Sequence, residues 1–580
     1  MSKKKNLAVI TSFGGINASG RSSNYMGYGN QVFDSLDDKD KIHVLKDLAI
    51  LEGLIQPQEK EWRTKSEDAI NLKEFLIGNE ELIRSQTMVR EIDRENYDPD
   101  GIILDQIKAG AAGQLPAGFD PSTLYPSRQH PKALQMTIFG MSDALGQMGI
   151  DWSKIKKEIN PDELAVFSGS AMSNLDKFGF GGMMQSRIKG SRASSKNLAF
   201  GLIEMSADFI NAYILGNVGR TGHSVGACAT FLYNLQLGKD LIESGKSKVV
   251  IVGSAEAPII PEIFDGFYAV SALSDNKKMI ELQNQLNEDF EGPNYRKACR
   301  PFGDNIGMVL GESAQFIILM NEELAIKLGA EIYGSVGSVH SHADGYKSSI
   351  SGPGIGNYIT LAKCVADAEK LIGIENLREK TFVHAHGTGT PANRTTESHI
   401  MDSVAEAFGI KSWPVTGIKS YLGHSMAVAA GDQLMSVLGT WSKGIIPRIH
   451  SIEKPAEDVN NDNLDILVED KAEDPTHYLG AFLNAKGFGG NNASAFIINN
   501  ETTFKILKEN YSKSDLKKYS SKLEKTRVQS KKYNDQAGKG EYNLTYKFNH
   551  NVLTGEDDIK ITQSEITLKG YDHPIPLKEE

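Results

Sequence analysis

Cys228 ends a small, glycine-bearing approach, Thr221-Gly-His-Ser-Val-Gly-Ala227, and precedes an apolar helical pattern through Phe231, Leu232, Leu235 and Leu237. Its neighbours Ala227, Ala229 and Thr230 are small and leave room for a second molecule to reach the sulfur. A cysteine at a helix start faces free backbone N–H groups and the positive end of the helix dipole. Such a setting favours thiolate, the nucleophilic form. Taken alone, the residue reads more readily as a small buried hydrophobe. Partners lie downstream. His386 stands in Val383-His-Ala-His-Gly-Thr-Gly-Thr-Pro391, just after a strand pattern. Lys419 and His424 share Ile418-Lys-Ser-Tyr-Leu-Gly-His424, which runs into a helix of small residues, as if packed closely on another element. Either histidine alone is more readily structural. Together with the cysteine turn and the Gly487-Phe488-Gly489-Gly490 turn they point to a nucleophile with imidazole partners.

The elements that must position these groups are legible in outline. Short apolar runs, Leu7–Ile10, Leu164–Phe167, Lys248–Gly253, Ala314–Leu319, Ile332–Val339, Thr381–Val383 and Ala493–Ile498, alternate with helical patterns such as Ala133–Met148, Tyr358–Ile372, Glu397–Phe408 and Met426–Leu438. Alternation of this kind predicts an α/β fold, and continuous apolar strands suit a sheet covered on both faces. Gly14, Gly15 and Gly20 are expected in a loop after the first strand, and Phe178–Gly182 in another. The chain divides into an N-terminal half, residues 1–330, a C-terminal half, 331–500, and an extension, 501–580. Residues 30–130 read as a charged, helical insertion. The extension reads as a Lys/Ser-rich helix followed by a hairpin of Tyr542–Phe548 and Ile559–Leu568 through Gly555.

Bulk properties narrow the class. The 580 residues are 40% hydrophobic and 24% charged, with a formal net charge of -11 and a pI near 5.7. That balance is ordinary for a soluble globular protein and argues against a broad nucleic-acid surface. Three well-separated cysteines, Cys228, Cys299 and Cys364, suggest neither a disulfide framework nor a CxxC metal site. No stretch approaches the length of a membrane span, and a cytoplasmic location is expected.

The ordered blocks Ala227-Cys228-Ala229-Thr230, His386-Gly-Thr-Gly-Thr-Pro391, Lys419 with Gly423-His424, and Gly487-Phe-Gly-Gly-Asn-Asn492 resemble the β-ketoacyl-acyl-carrier-protein synthases of the first and second type. The resemblance implies a thiolase-like fold: two similar βα halves in a layered αβαβα core, here with the insertion and the appended tail. It implies that Cys228 accepts an acyl group from an acyl-CoA or acyl-carrier donor. A malonyl carrier thioester then loses carbon dioxide, and His386 and His424 hydrogen-bond its carbonyl while enolate charge develops. A 3-oxoacyl carrier product leaves, and no metal or organic cofactor is needed. It further implies oxyanion-hole amides from Cys228 and Phe488, a Lys419–Glu397 pair, a gating role for Phe488, and contacts from Thr388 and Thr390 to the phosphopantetheine arm. The implied partners are acyl carrier protein, with Arg187, Lys189, Arg192 and Lys196 as a candidate basic patch, and a second copy in a homodimer.

Three positions depart from the family pattern. Arg394 stands where an acidic residue is usual, Lys486 where an aromatic is usual, and Arg300-Pro301-Phe302 continues as Gly303-Asp304-Asn305. Phe13-Gly-Gly-Ile-Asn-Ala-Ser-Gly-Arg-Ser-Ser23, the insertion and the tail resemble the longer FabY-type subgroup. There the resemblance implies initiation, with acetyl-CoA condensing onto malonyl carrier protein. Degradative thiolases, which carry a second cysteine late in the chain, non-elongating partners, which lack the nucleophile, and polyketide ketosynthases are the competing readings.

Overall fold

The computed structural model describes residues 6–578 except 59, 60, 99, 100, 102, 103, 105, 350, 351, 353, 551 and 554. Eleven strands lie along one hydrogen-bonded path: β1 Ala8–Asn17, β2 Leu164–Gly169, β3 Arg220–Gly222, β4 Val249–Glu256, β5 Ser313–Asn321, β6 Gly334–Ala343, β7 Thr381–His384, β8 Trp413–Thr416, β9 Leu464–Ile466, β10 Gly480–Gly487 and β11 Asn491–Asn499. The pairing senses repeat. β1–β5 and β5–β4 are antiparallel, while β4–β2 and β2–β3 are parallel. β6–β11 and β11–β10 are antiparallel, while β10–β7 and β7–β8 are parallel, and β9 adds one more parallel strand. The halves join through only two residue pairs, Val9↔Ser335 and Ile10↔Gly334.

The layers follow from side chains alternating across each strand. Val249 and Ile251 of β4 enter one apolar cluster, with α1 (Lys132–Met148), while Val250 and Val252 enter another. The second cluster is the central layer. It holds Phe231, Leu232 and Leu235 of α2 (Thr230–Glu243), and it also takes Ala493, Ala495 and Ile497 of β11. Phe496 and Ile498 of β11 face the other way, toward Leu361 and Val365 of α3 (Gly356–Ile372) and Ile400 and Met401 of α4 (Pro391–Phe408). Leu434, Val437 and Leu438 of α5 (Ala429–Lys443) complete the central layer. Gly431 lets α5 approach α2 closely, since a Cβ there would lie 2.9 Å from the Phe231 ring. This is the expected αβαβα order.

Several local expectations are corrected. β1 runs straight through Gly14 and Gly15, which are not in a loop. A Cβ at Gly14 would stand 2.2 Å from the Ala144 nitrogen, so the glycine lets β1 press against α1. Phe180–Gln185 is a short helix and not an open loop. The stretch read as a helical insertion also contains the meander Ile55–Gln58, Glu61–Thr64 and Ala69–Ile70, and the strands Val89–Glu91 and Ala111–Gly113. In the tail, the hairpin lies within Ile559–Leu568. Tyr542 and Tyr546 instead dock as aromatics, 5.2 Å from Phe139 and 4.9 Å from Tyr125 between ring centroids. Among the described residues no single helix is long and apolar enough to cross a membrane.

One buried knot ties the additions to the core. Arg21 is 1% exposed. Its guanidinium meets Asp47 at 2.9 Å in the insertion, Asp143 at 3.4 Å on α1, and the Asn534 side chain at 3.1 Å on the tail helix α6 (Lys513–Ala537). The Tyr533 hydroxyl donates to Asp143 at 2.8 Å. Breaking a buried ion pair on one side strands the other charge, at about 3–5 kcal/mol. Arg21→Met should therefore lower unfolding free energy by about that amount. Tyr533→Phe, losing one hydrogen bond to a charged group, should cost about 1.5–3 kcal/mol. Urea denaturation of the full chain measures both, and an Arg21→Met loss below that of Tyr533→Phe would contradict the knot.

Candidate active site

The first half delivers Cys228 through a strained turn. Ala227 sits at φ +50°, in the left-handed region that residues with a Cβ rarely occupy. The Thr230 hydroxyl holds it there, donating to the Ala227 carbonyl at 2.7 Å and accepting the Gly226 N–H at 3.1 Å. Cys228 follows, just ahead of α2, and is 9% exposed. The second half brings its strand ends to the same place. His386 follows β7, Lys419 and His424 follow β8, and Phe488 follows β10. A Cβ on Gly487 would lie 2.2 Å from the Gly226 carbonyl oxygen and 3.0 Å from the Cys228 nitrogen, so this glycine allows the two backbones to touch.

A cavity of about 390 Å³ opens there, lined by Cys228, His386, His424, Thr388, Thr390 and Phe488 among others. The imidazoles of His386 and His424 meet edge to face, 5.2 Å apart between centroids. Nδ1 of His424 accepts the Met426 N–H at 3.2 Å, which assigns the ring proton to Nε2. The His424 backbone is pinned between Val309 and Gly311, with hydrogen bonds of 2.6 and 3.0 Å. Burial, reinforced by the Lys419 ammonium, holds both histidines well below the usual imidazole range. They are neutral donors at neutral pH and not cations.

Lys419 and Glu397 clasp one loop rather than each other. The Lys419 ammonium donates to the His386 carbonyl. Glu397 accepts the N–H groups of His386 at 2.6 Å and Gly387 at 2.8 Å, and the Asn484 amide at 2.8 Å. Burial lowers the lysine pKa, and Glu397 opposes that through space. The Thr388 and Thr390 hydroxyls bond to each other at 2.9 Å on the cavity wall. Phe488 is 44% exposed and stacks loosely on Phe267 at 5.8 Å. Arg187, Lys189, Arg192 and Lys196 are all exposed and stand outside the cavity lining.

Other residues at the site were not singled out in the sequence. Glu256, at the end of β4, accepts the Ser170 hydroxyl at 2.5 Å and the N–H groups of Ala171 at 2.8 Å and Ala427 at 3.3 Å. Burial pushes its carboxyl up to about 7. Asp432 accepts the Ser425 hydroxyl at 2.5 Å and so steadies the residue after His424. A lone acid ending an otherwise apolar strand was the available signal for Glu256. Two departures explain one another: Arg394 forms a bidentate pair with Asp458 at 2.8 and 2.9 Å and donates to the Gly303 carbonyl at 3.2 Å.

Burial works against the expected thiolate in the free protein. Burial pushes the Cys228 thiol up to about 12, and Lys419 offsets this only in part. The same holds for Cys299 and Cys364, each 0% exposed, so access rather than acidity sets Cys228 apart. Iodoacetamide should label Cys228 well ahead of the other two. Because the raised pKa leaves the sulfur protonated at neutral pH, the rate should climb about tenfold per unit from pH 7 to 9 without levelling. Peptide mapping with timed quenching tests this. Equal labelling, or a plateau near pH 7, would contradict it.

Comparison with known proteins agrees with this geometry. The family model "Beta-ketoacyl synthase, N-terminal domain" matches residues 65–325, and its C-terminal counterpart matches 333–453. The β-ketoacyl-[acyl-carrier-protein] synthase FabY of Pseudomonas aeruginosa is 40% identical over 630 residues, spanning 99% of this chain and 98% of that protein. A 3-oxoacyl-[acyl-carrier-protein] synthase 2 of Staphylococcus aureus is 28% identical over 372 residues, covering 63% of this chain and 84% of its own. The crystal structure of the noncanonical ketosynthase FabY from P. aeruginosa matches with a TM-score of 0.95, covering 100% of this chain and 98% of that one. A type II polyketide ketosynthase solved with its acyl-carrier protein shares the fold at a TM-score of 0.59 and 19% identity, covering 86% of this chain and 100% of that one. A sulfur and two neutral imidazoles facing one cavity, on a doubled βα scaffold that FabY matches from end to end, place the chain in the β-ketoacyl synthase family, among its longer FabY-type members.

Proposed function

We propose that the protein is a β-ketoacyl-acyl-carrier-protein synthase of fatty acid synthesis that condenses a short acyl primer with malonyl carrier protein. The observation that carries this is the single cavity shared by Cys228, His386 and His424. The Cys228 sulfur attacks the donor thioester carbonyl, and its proton leaves with the departing thiol. The amides of Cys228 and Phe488 are the candidate oxyanion donors, since the close approach of Gly487 sets the end of β10 against the Cys228 nitrogen. The malonyl thioester then enters. Its bond to the carboxylate breaks, CO₂ departs, and the electron pair moves to the thioester oxygen as an enolate. His424 through Nε2–H, and His386 beside it, donate to that oxygen. The enolate carbon attacks the acyl-cysteine, and Cys228 leaves as thiolate and is reprotonated. Gas release drives the step, so the chemistry calls for no metal or organic cofactor.

The primer reading rests on packing behind the sulfur. Cys228 belongs to an apolar cluster with Ile92, Leu104, Ile107 and Ala109 of the inserted segment, and with Phe264, Leu273, Met308 and Met426. In this reading the insertion residues of that cluster take up room that a long acyl chain would need, which favours acetyl over longer groups. Thr388 and Thr390 line the cavity and are the candidate contacts for the phosphopantetheine arm that acyl carrier protein would deliver. A homodimer is supported by the exposed edge strand β3 and by Val218 and Val225 beside it, 44% and 39% exposed. Soluble thioester substrates favour a cytoplasmic site of action.

Intact-mass assays test the reading. Cys228→Ala should accept no acyl group and form no product. His424→Ala should still acylate Cys228 but lose malonyl decarboxylation by about 10²–10³-fold, as for removal of one oxyanion donor. Acetyl donors should load Cys228 faster than octanoyl donors, and the double variant Leu104→Ala, Ile107→Ala should narrow the gap. Equal loading of both chain lengths by the unaltered protein would sink the short-primer reading.

A further inference from the structure

Lys486 replaces an aromatic in the family pattern, and Glu397 and Asp344 support its charge only through space. It lies on β10, two residues before Phe488, and lines the same cavity as Cys228, His386 and His424. The neighbouring charges are already engaged. Glu397 accepts three N–H groups, from His386, Gly387 and Asn484. Asp344 accepts the Asn492 amide at 2.7 Å and the Gly356 N–H at 3.1 Å, and it pairs with Lys347 at 3.5 Å. Lys419 donates to the His386 carbonyl. Among the described residues the Lys486 ammonium has no hydrogen-bond or ion-pair partner. A mostly buried, unpaired cation is costly unless an anion joins it. Of the charged groups lining the cavity, Lys347, Lys486 and Asp344, two are positive and one negative, leaving one positive charge in surplus.

Lys486 shares the cavity lining with His386, and its charge makes that imidazole harder to protonate. The charges that act on the Cys228 thiol are those of Lys419 and Glu256.

Building on the condensation proposed above, we propose that Lys486 is a specificity-determining residue that receives the carboxylate of the malonyl thioester. An enzyme that takes acetyl as primer and malonyl as extender handles two thioesters with the same phosphopantetheine arm, differing by one carboxylate. The apolar wall at Cys228 suits the uncharged acetyl group. The unpaired ammonium beside His386 suits the charged one. When CO₂ departs as a neutral molecule, the negative charge passes to the enolate oxygen, so Lys486 keeps a counter-charge throughout. The phosphate of the arm is the other anion that could seek this lysine, and both substrates carry it.

The test compares full-length wild type, Lys486→Met and Lys486→Arg in two half-reactions. One is acetylation of Cys228 by acetyl-CoA, followed by intact mass. The other is CO₂ release at varied malonyl carrier protein concentration. Lys486→Met should raise KM for the malonyl carrier at least tenfold while the acetylation rate moves less than twofold. Lys486→Arg should bring KM back to within threefold of wild type. Methionine matches the lysine stem, and an unchanged Tm confirms that the fold persists. An unaltered KM overturns the proposal. So does a parallel fall in acetylation and malonyl use, which would assign the lysine to the shared phosphate. A wild-type protein that acetylates Cys228 yet never releases CO₂ from malonyl would sink the condensation reading itself, and this proposal with it.

Discussion

The site depends on a backbone contact. Gly487, at the end of β10, lies so close to the Gly226–Cys228 turn that a Cβ would collide with the Gly226 carbonyl. Sheet hydrogen bonding joins the two halves over only two residue pairs, so their relation rests mainly on the central apolar layer that α2 and α5 fill. That layer is close-packed and resists small shifts. It holds the sulfur from one half within reach of two imidazoles and an amide from the other. The repeated pairing order then has a chemical use: corresponding strand ends of a doubled unit open at one seam, and each half contributes what the other lacks.

Electrostatics at the seam favour charge that arrives with the substrate. Burial keeps both histidines neutral and the Cys228 thiol protonated, while Lys419 and Lys486 add positive field without donating to the sulfur. An anion developing in the cavity meets donors already in place, which is how preorganised sites lower barriers. Glu397 does not compete for this field. Its oxygens are committed to the His386 and Gly387 amides, so it fixes the loop geometry while its charge supports that of Lys419.

The sequence made the chemistry more legible than its surroundings. Cys228, His386, Lys419 and His424 stand in short local patterns, a small-residue turn and strand-to-loop junctions, and such patterns survive without knowledge of the fold. Layering was legible for the same reason, because apolar runs such as Val249–Val252 report burial on both faces. What failed depends on contacts remote in sequence. Gly14 reads as a loop former, yet its lack of a Cβ serves the approach of Ala144. The helix start that favours acidity at Cys228 is visible locally, whereas the apolar surroundings that oppose it come from segments far apart in the chain. Arg394 looked like a defect until Asp458, far along the chain, appeared as its partner.

The same long-range logic links the three features that set this chain apart from shorter synthases. The motif through Ser23, the insertion and the tail meet at Arg21, where Asp47, Asp143 and Asn534 surround one guanidinium. Each feature alone would leave a buried charge unanswered, so they make sense as a set. The insertion anchored there continues to Ile92, Leu104 and Ile107, which pack beside Cys228. A further tie runs through Glu312, which accepts from the Tyr97 hydroxyl at 2.7 Å and pairs with Lys132 at 2.7 Å. The insertion residues that share the Cys228 cluster are thus held at two places by buried polar clusters. Such clusters are weak sources of net stability, and they constrain geometry because removing one partner strands the charge of the other. The short-primer reading proposed above calls for a wall that does not yield, and polar anchoring of the insertion at Asp47 and Tyr97 suits it without enlarging the apolar core.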